Sequence, residues 1–234
     1  LKVIQESSTY QLTFMPRLFP VSCYLVDEGE GLTLIDAALP NSAASILQAA
    51  ERIGKPINRI VLTHGHMDHV GALDKLKSQL PHASVYISKR DSRLLHGDSS
   101  LDPGEIHPIK GGVAKNIQTQ ADVLINDGDR IGSLIAISSP GHTPGSMSFF
   151  DERNGHLIVG DSFQTRGGIA VSGKMKPLFP FPSFATWNKE TAVASARKLA
   201  GLQPELLAVG HGKWIKQPLT KMKMAISEAE KGLG

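Results

Sequence analysis

Four residues able to ligate a metal fall within six consecutive positions of this chain: His64, His66, Asp68 and His69, in the run Thr63-His64-Gly65-His66-Met67-Asp68-His69. In extended backbone, residues two apart point the same way, so His64 and His66 can grip one ion. Gly65 between them lets the chain pack closely. Asp68 and His69 fall where the backbone turns into a helix, so they point elsewhere and can serve a second ion. The run directly follows residues 57–62, a short and nearly continuous apolar stretch that reads as a buried strand.

Three more positions share the pattern of a polar ligand just past an apolar strand. His142 sits in Ser139-Pro140-Gly141-His142-Thr143-Pro144-Gly145, after 131–137, read as one strand. Asp161 follows 157–160, and His211 follows 206–210. Together these seven residues can complete two coordination shells of His and Asp with no thiolate. His82, His96, His107 and His156 match no such position and read as surface or loop residues, with His96 or His107 a candidate to touch substrate.

The elements that must position these residues are read from periodicity. Residues 21–26 and 32–35 are strands joined by a turn. A helix follows with Ala43, Ile46, Leu47, Ala50 and Ile53 on one stripe, stopped by Gly54 and Pro56. A second helix starts near Val70, with Val70, Leu73, Leu76 and Leu80 on one face. Further strands are expected at 85–87, 131–137, 147–150, 157–159 and 206–209, and helices at 186–200 and 218–231. Residues 96–120 are weakly patterned, and so long an irregular segment inside a domain reads as a lid or binding loop. An aromatic- and Pro-rich stretch covers 163–184. A faint internal echo pairs Leu34-Ile35-Asp36 with Val159-Gly160-Asp161, and Leu62-Thr63-His64-Gly65-His66 with Val209-Gly210-His211-Gly212.

The chain has 234 residues and no visible linker, so one domain spanning 1–234 is expected. Its formal charge is +3, with basic residues scattered, so no nucleic-acid footprint is present. No apolar run is long enough for a membrane span. Cys23 is the only cysteine, so no intrachain disulfide forms, which fits a reducing, cytoplasmic setting. The first residues do not form a signal peptide, and the start at Leu1 rather than Met leaves a removed leader open.

Asp36, His64-x-His66-x-Asp68-His69, His142, Asp161 and His211, in that order, resemble the metallo-β-lactamase superfamily over nearly the whole chain. The resemblance implies an αββα sandwich, two mixed β-sheets flanked by helices, with its metal site at one edge. It implies that His64, His66 and His142 hold one metal, Asp68, His69 and His211 a second, and that Asp161 bridges them. Asp36 would orient the ligand loops. The implied cofactor is a pair of divalent ions, zinc first, with iron, manganese and cobalt also compatible with such a site. Two dications lower the pKa of a shared water from 15.7 towards about 7, so a bridging hydroxide can attack a polarised carbonyl. Asp68 would take a hydrogen bond or proton from that water.

Departures from particular branches narrow the expectation. Asp161 stands where the commonest antibiotic-resistance subgroup places Cys. His66 speaks against the flavodiiron branch, which has Glu there. The ligand set resembles glyoxalase II and acyl-homoserine lactone lactonases, but the chain ends soon after His211 and has no Tyr between Asp161 and His211. The expected activity is hydrolysis of esters, thioesters or lactones of a small molecule. The aromatics of 163–187 either line an acyl pocket or anchor a loop. The alternatives are an iron persulfide dioxygenase with one metal, a β-lactam- or phosphodiester-cleaving member, and a non-catalytic binding protein.

Overall fold

In the computed structural model, which describes residues 1–233, fifteen strands and seven helices follow in the order read below. The first sheet runs β1 (Lys2–Glu6), β2 (Thr9–Phe14), β3 (Val21–Asp27), β4 (Leu32–Ile35), β5 (Ile57–Val61), β6 (Ser84–Ser88) and β7 (Val123–Ile125), in sequence order across the sheet. It is antiparallel as far as β4 and parallel from β4 to β7. The second sheet contains β8 (Arg130–Ile131), β9 (Leu134–Ser138), β10 (Met147–Asp151) and β11 (His156–Ile158). After a two-stranded ribbon of β12 (Phe163–Gln164) and β13 (Ala170–Val171), β14 (Leu206–Ala208) and β15 (Ile215–Lys216) finish that sheet. Among the described residues its one parallel pair is β11 with β14.

Three apolar clusters stack the layers. Tyr24, Val26, Ile35 and Val61 from the first sheet meet Ala136, Phe149, Ile158 and Ala208 from the second, so the sheets face each other. The outer face of the first sheet packs on α1 (Ala43–Ile53), α2 (Met67–Val70) and α3 (Leu73–Gln79). A short α4 (Lys89–Leu95) follows β6, and α5 (Phe181–Phe184) precedes the long helices. The outer face of the second sheet packs on α6 (Lys189–Gly201) and α7 (Leu219–Glu230). This is the expected αββα sandwich. Strands covered on both faces, such as β3 and β4, are mostly apolar for that reason, broken only by the buried hydroxyls of Ser22 and Thr33 and by Asp27 at the end of β3.

The internal echo has a structural counterpart. β4 ends before Asp36 and its parallel neighbour β5 ends before His64, while β11 ends before Asp161 and its parallel neighbour β14 ends before His211. Parallel neighbours end on the same side, so each sheet delivers its Asp and His to one rim.

Three expectations need correction. The single strand at 131–137 is a hairpin, β8 and β9, turned at Gly132, whose φ of +61° favours glycine. The helix expected from Val70 is two helices broken at Gly71 and Ala72. There the Gly71 N–H is drawn to Ala38 O at 2.9 Å, which interrupts the helical hydrogen-bond ladder, and the close approach of Pro40, whose Cδ would lie 2.6 Å from a Cβ, leaves room only for glycine. The first of these helices also starts earlier, at Met67. Finally, β1 and β2 form a hairpin on the edge of the first sheet that the sequence reading did not anticipate.

Candidate metal centre

Each ligand loop is tied down before its histidines point anywhere. Asp36, at a positive φ of 63° just past β4, accepts from the Thr63 N–H at 2.8 Å and from Thr63 Oγ1–H. Its Oδ2 also lies 2.7 Å from His69 Nδ1. One carboxylate therefore holds both ends of the His-x-His-x-Asp-His run, which is the orienting role expected of Asp36.

The five rings follow one rule: each has one nitrogen committed to the surrounding protein and the other facing a common centre. Thr63 Oγ1–H is spent on Asp36, so His64 Nδ1–H donates to that hydroxyl at 3.0 Å and Nε2 faces in. His66 Nε2–H donates to Lys110 O at 2.9 Å, leaving Nδ1 inward. His69 Nδ1–H goes to Asp36, and His211 Nδ1–H to Pro20 O at 2.8 Å. For His142 a hydroxyl relay fixes the direction. Thr186 Oγ1–H donates to Pro182 O, so it accepts from Ser172 Oγ–H, and Ser172 in turn accepts from His142 Nδ1–H. The inward nitrogens of His64, His66 and His142 then carry lone pairs, and those of His69 and His211 do so once their second proton is lost, the form that metal ligation needs.

The inward atoms converge. His66 Nδ1 and His142 Nε2 are 3.0 Å apart. Asp161 Oδ2 lies 3.1 Å from His211 Nε2 and 3.4 Å from His142 Nε2, and its Oδ1 lies 3.3 Å from His69 Nε2. Asp68 Oδ2 is 3.4 Å from His211 Nε2 and 3.9 Å from His69 Nε2. Three groups have ligand atoms close enough to hold an ion: His64, His66 and His142; His64, His69 and Asp161; Asp68, His69 and His211. His64 Nε2, His69 Nε2 and Asp161 Oδ1 are buried without a hydrogen-bond partner. Unpaired buried polar atoms are costly. Here His64 Nε2 is a lone pair, and His69 Nε2 faces Asp161 Oδ1 at 3.3 Å, all aimed at one spot, so the donor set fits divalent cations that displace the His69 proton. All seven ligand-type residues singled out from the sequence meet at this place.

The electrostatics say the same. Burial, and then the neighbouring rings, hold His64 well below the ordinary histidine range, and burial takes His142 down to about 3. Burial also disfavours charge on His69 and His211, but the carboxylates outweigh it. Asp161, Asp68 and Asp36 raise His69, and Asp161 and Asp68 push His211 up to about 10. Asp161 and Asp68 stay ionised despite burial, because His69 and His211 sit against them. In the metal-free protein, protons on these two rings stand in for cations.

A residue missed in the sequence joins the two loops of the first group. Asp91, fully buried in α4, accepts from the Gly65 N–H at 3.0 Å, the Gly145 N–H at 2.8 Å and Thr143 Oγ1–H at 2.6 Å. It clamps the His64–His66 loop to the His142 turn. The turn itself needs Gly141, at φ +141°, because a Cβ there would sit 2.4 Å from Ala192 Cα.

Over the centre opens a cavity of about 560 Å3, lined by Phe19, Leu39, Met67, Phe181 and Phe184 beside Asp68, Asp161 and His211. The aromatic stretch thus divides between its two expected roles. Phe181 and Phe184 line the cavity, and Phe179 packs on His211 with centroids 5.2 Å apart. Phe163 belongs to the core under α6, and Trp187 Nε1–H donates to His107 O, anchoring the irregular segment. That segment has no helix or strand from residue 96 to 122, and its Lys110–Gly112 portion covers His66. A Cβ on Gly111 would lie 2.5 Å from His66 Cε1. His96 and His107 do not line the cavity. His156, expected in a loop or on the surface, is buried on β11, where its Nδ1 meets Thr9 Oγ1 at 2.9 Å.

The family model described as the metallo-beta-lactamase superfamily matches residues 16–211. The chain belongs to the metallo-beta-lactamase superfamily. Members of this superfamily are metal-dependent hydrolases, and the His/Asp groups here fit that character. Among relatives, the uncharacterized protein YobT of Bacillus subtilis (strain 168) is 58% identical over 99% of this chain and 100% of its own length. The probable metallo-hydrolase YflN of the same organism is 34% identical over 80% of this chain and 78% of that one. Of solved structures, TTHA1623 in a di-iron-bound form is 27% identical at a TM-score of 0.68, covering 89% of this chain and 95% of that one. No helix among the described residues is long and apolar enough to cross a membrane.

Proposed function

We propose that this superfamily member hydrolyses carboxyl esters, thioesters or lactones of a small molecule, working with two divalent metal ions, zinc first among the candidates. The observation that carries the reading is the place of Asp161, whose oxygens lie against His142 of one ligand group and against His69 and His211 of the other. A carboxylate so placed suits a bridge between two ions better than a ligand to one. His64, His66 and His142 would hold the first ion, and Asp68, His69 and His211 the second. When bound, such a pair supplies Lewis acidity, which acidifies a water and polarises an acyl carbonyl.

The chain's own residues do the rest. Asp68 is the most exposed of the ion-paired ligand-type groups, its side chain 25% accessible where Asp161 is 4%. It is therefore the carboxylate that reaches a reacting water and accepts its proton. Phe19, Leu39, Met67, Phe181 and Phe184 offer apolar surface to an acyl chain and exclude water from it. No Lys or Arg lines this cavity, so a phosphodiester would find no protein cation to meet its charge.

The test is a panel at equal metal loading: an acyl lactone, an aryl ester, a thioester and bis(p-nitrophenyl) phosphate, compared by kcat/KM. The acyl substrates should lead. A phosphodiester ahead by tenfold, about 1.4 kcal/mol of transition-state preference, overturns the reading.

A further inference from the structure

Behind the wall that carries His211 lies a second cavity, of about 620 Å3. Pro20, whose carbonyl holds the His211 ring, and Gly212 form part of its floor. No residue lines both this cavity and the one over the metal centre. The second cavity has a distinct character. Lys2, Arg166, Lys213 and Lys221 line it, and no Asp or Glu does. Among the described residues none of these four cations makes an ion pair. The contrast is Lys216, on β15 beside the cavity residue Ile215, which Glu6 neutralises at 2.6 Å. Arg166 is fixed by donating to Arg17 O at 2.6 Å. Between the charges runs an apolar wall of Ile4, Ile169, Trp214 and Ile215.

Four like charges around one concavity repel one another, and an anion entering it relieves that repulsion. A small inorganic anion would leave the apolar wall wet. A neutral lipid would leave the cations unpaired. The volume falls within the usual range of small-ligand pockets, about 300–1,000 Å3. We propose that this cavity is a binding site for an amphipathic carboxylate, with its head among Lys2, Arg166, Lys213 and Lys221 and its apolar body against Trp214. The site is separate from the metal centre and independent of the reaction performed there.

Trp214 reports on it. The chain has 2 tryptophans, so Trp187→Phe leaves Trp214 as the sole indole emitter. Octanoate, 1-octanol and inorganic phosphate are titrated into this variant, metal-loaded and after chelation. Octanoate should change Trp214 emission saturably in both states, with octanol and phosphate each at least about tenfold weaker. Lys213→Glu with Lys221→Glu, two exposed positions, should weaken octanoate by at least about tenfold with an unchanged circular dichroism spectrum. Lys2→Glu, on the exposed edge strand, should weaken it less and provides the check if the double variant misfolds. No octanoate response, equal binding of octanol or phosphate, or indifference to charge reversal overturns the proposal. Loss of octanoate binding on chelation does so too, since it places the ligand at the metal centre.

Discussion

Replacing Asp91 by Asn removes a charge but almost no volume, which isolates what the clamp does. The carboxylate accepts three hydrogen bonds, two at Oδ2 from the Gly65 N–H and Thr143 Oγ1–H and one at Oδ1 from the Gly145 N–H. An amide has one acceptor oxygen. If that oxygen stays with Gly65 and Thr143, the new NH2 meets the Gly145 N–H donor to donor. Two buried donors are then unpaired, each at about 1–3 kcal/mol. Part of this is returned, because burial already pushes the Asp91 carboxyl pKa up, with the hydrogen bonds offsetting only some of that cost. The net loss should be about 1–3 kcal/mol, a sizeable share of a domain's total of about 5–15 kcal/mol. The strain falls between Gly65 and Gly145, so His64 and His66 shift against His142. Loss of such an outer partner costs about 10–100-fold in metal affinity. Urea unfolding of the chelated protein measures the first quantity, and competition with a chromophoric chelator measures the second. An Asn variant within about 0.5 kcal/mol of the parent and with unchanged metal affinity would refute the clamp, since surface-like changes fall in that band.

Asp161→Ala removes the proposed bridge, so metal content should drop at both sites and turnover should fall by orders of magnitude; an active variant with full metal content would show that Asp161 does not bridge. Cys23→Ser should leave turnover nearly intact, because Cys23 is buried in the core with its thiol pKa pushed up by burial and then by Asp36. Its buried hydroxyl should cost about 1–3 kcal/mol in urea unfolding, and lost turnover in a folded variant would contradict this. Metal uptake should release protons at pH 7–8, because His69 and His211 hold theirs in the metal-free protein, His211 up to about pH 10. Ligation requires neutral rings, so affinity should fall as pH is lowered and the release should fade above about pH 10. Calorimetric titration in two buffers of different ionisation enthalpy reads the proton count, and identical heats would contradict it.

The ligand residues were legible because their signal is local: a His or Asp directly after a short apolar strand, repeated in both halves of the chain. What stayed hidden is held by distant partners. Asp91 sits three residues after Ser88, whose hydroxyl accepts the Asp91 N–H. In the sequence that spacing reads as a helix-capping pair and nothing more. Its partners Gly65 and Gly145 lie far away along the chain. His156 looked like a loop residue because its strand, β11, is only three residues long and its partner Thr9 lies across the fold. The β1–β2 hairpin escaped because β1 is an exposed edge strand, mostly polar, with no buried face to impose alternation. Phe19, which packs on His211, precedes β3 in a segment without periodicity.

The central claim is that one chain holds two divalent ions on His64, His66, Asp68, His69, His142, Asp161 and His211. The protein is stripped with chelator, reloaded with excess zinc, iron, manganese or cobalt, desalted and analysed for metal per chain. The account predicts two ions per chain for at least one of these metals. Saturation at one ion per chain with every metal would contradict it.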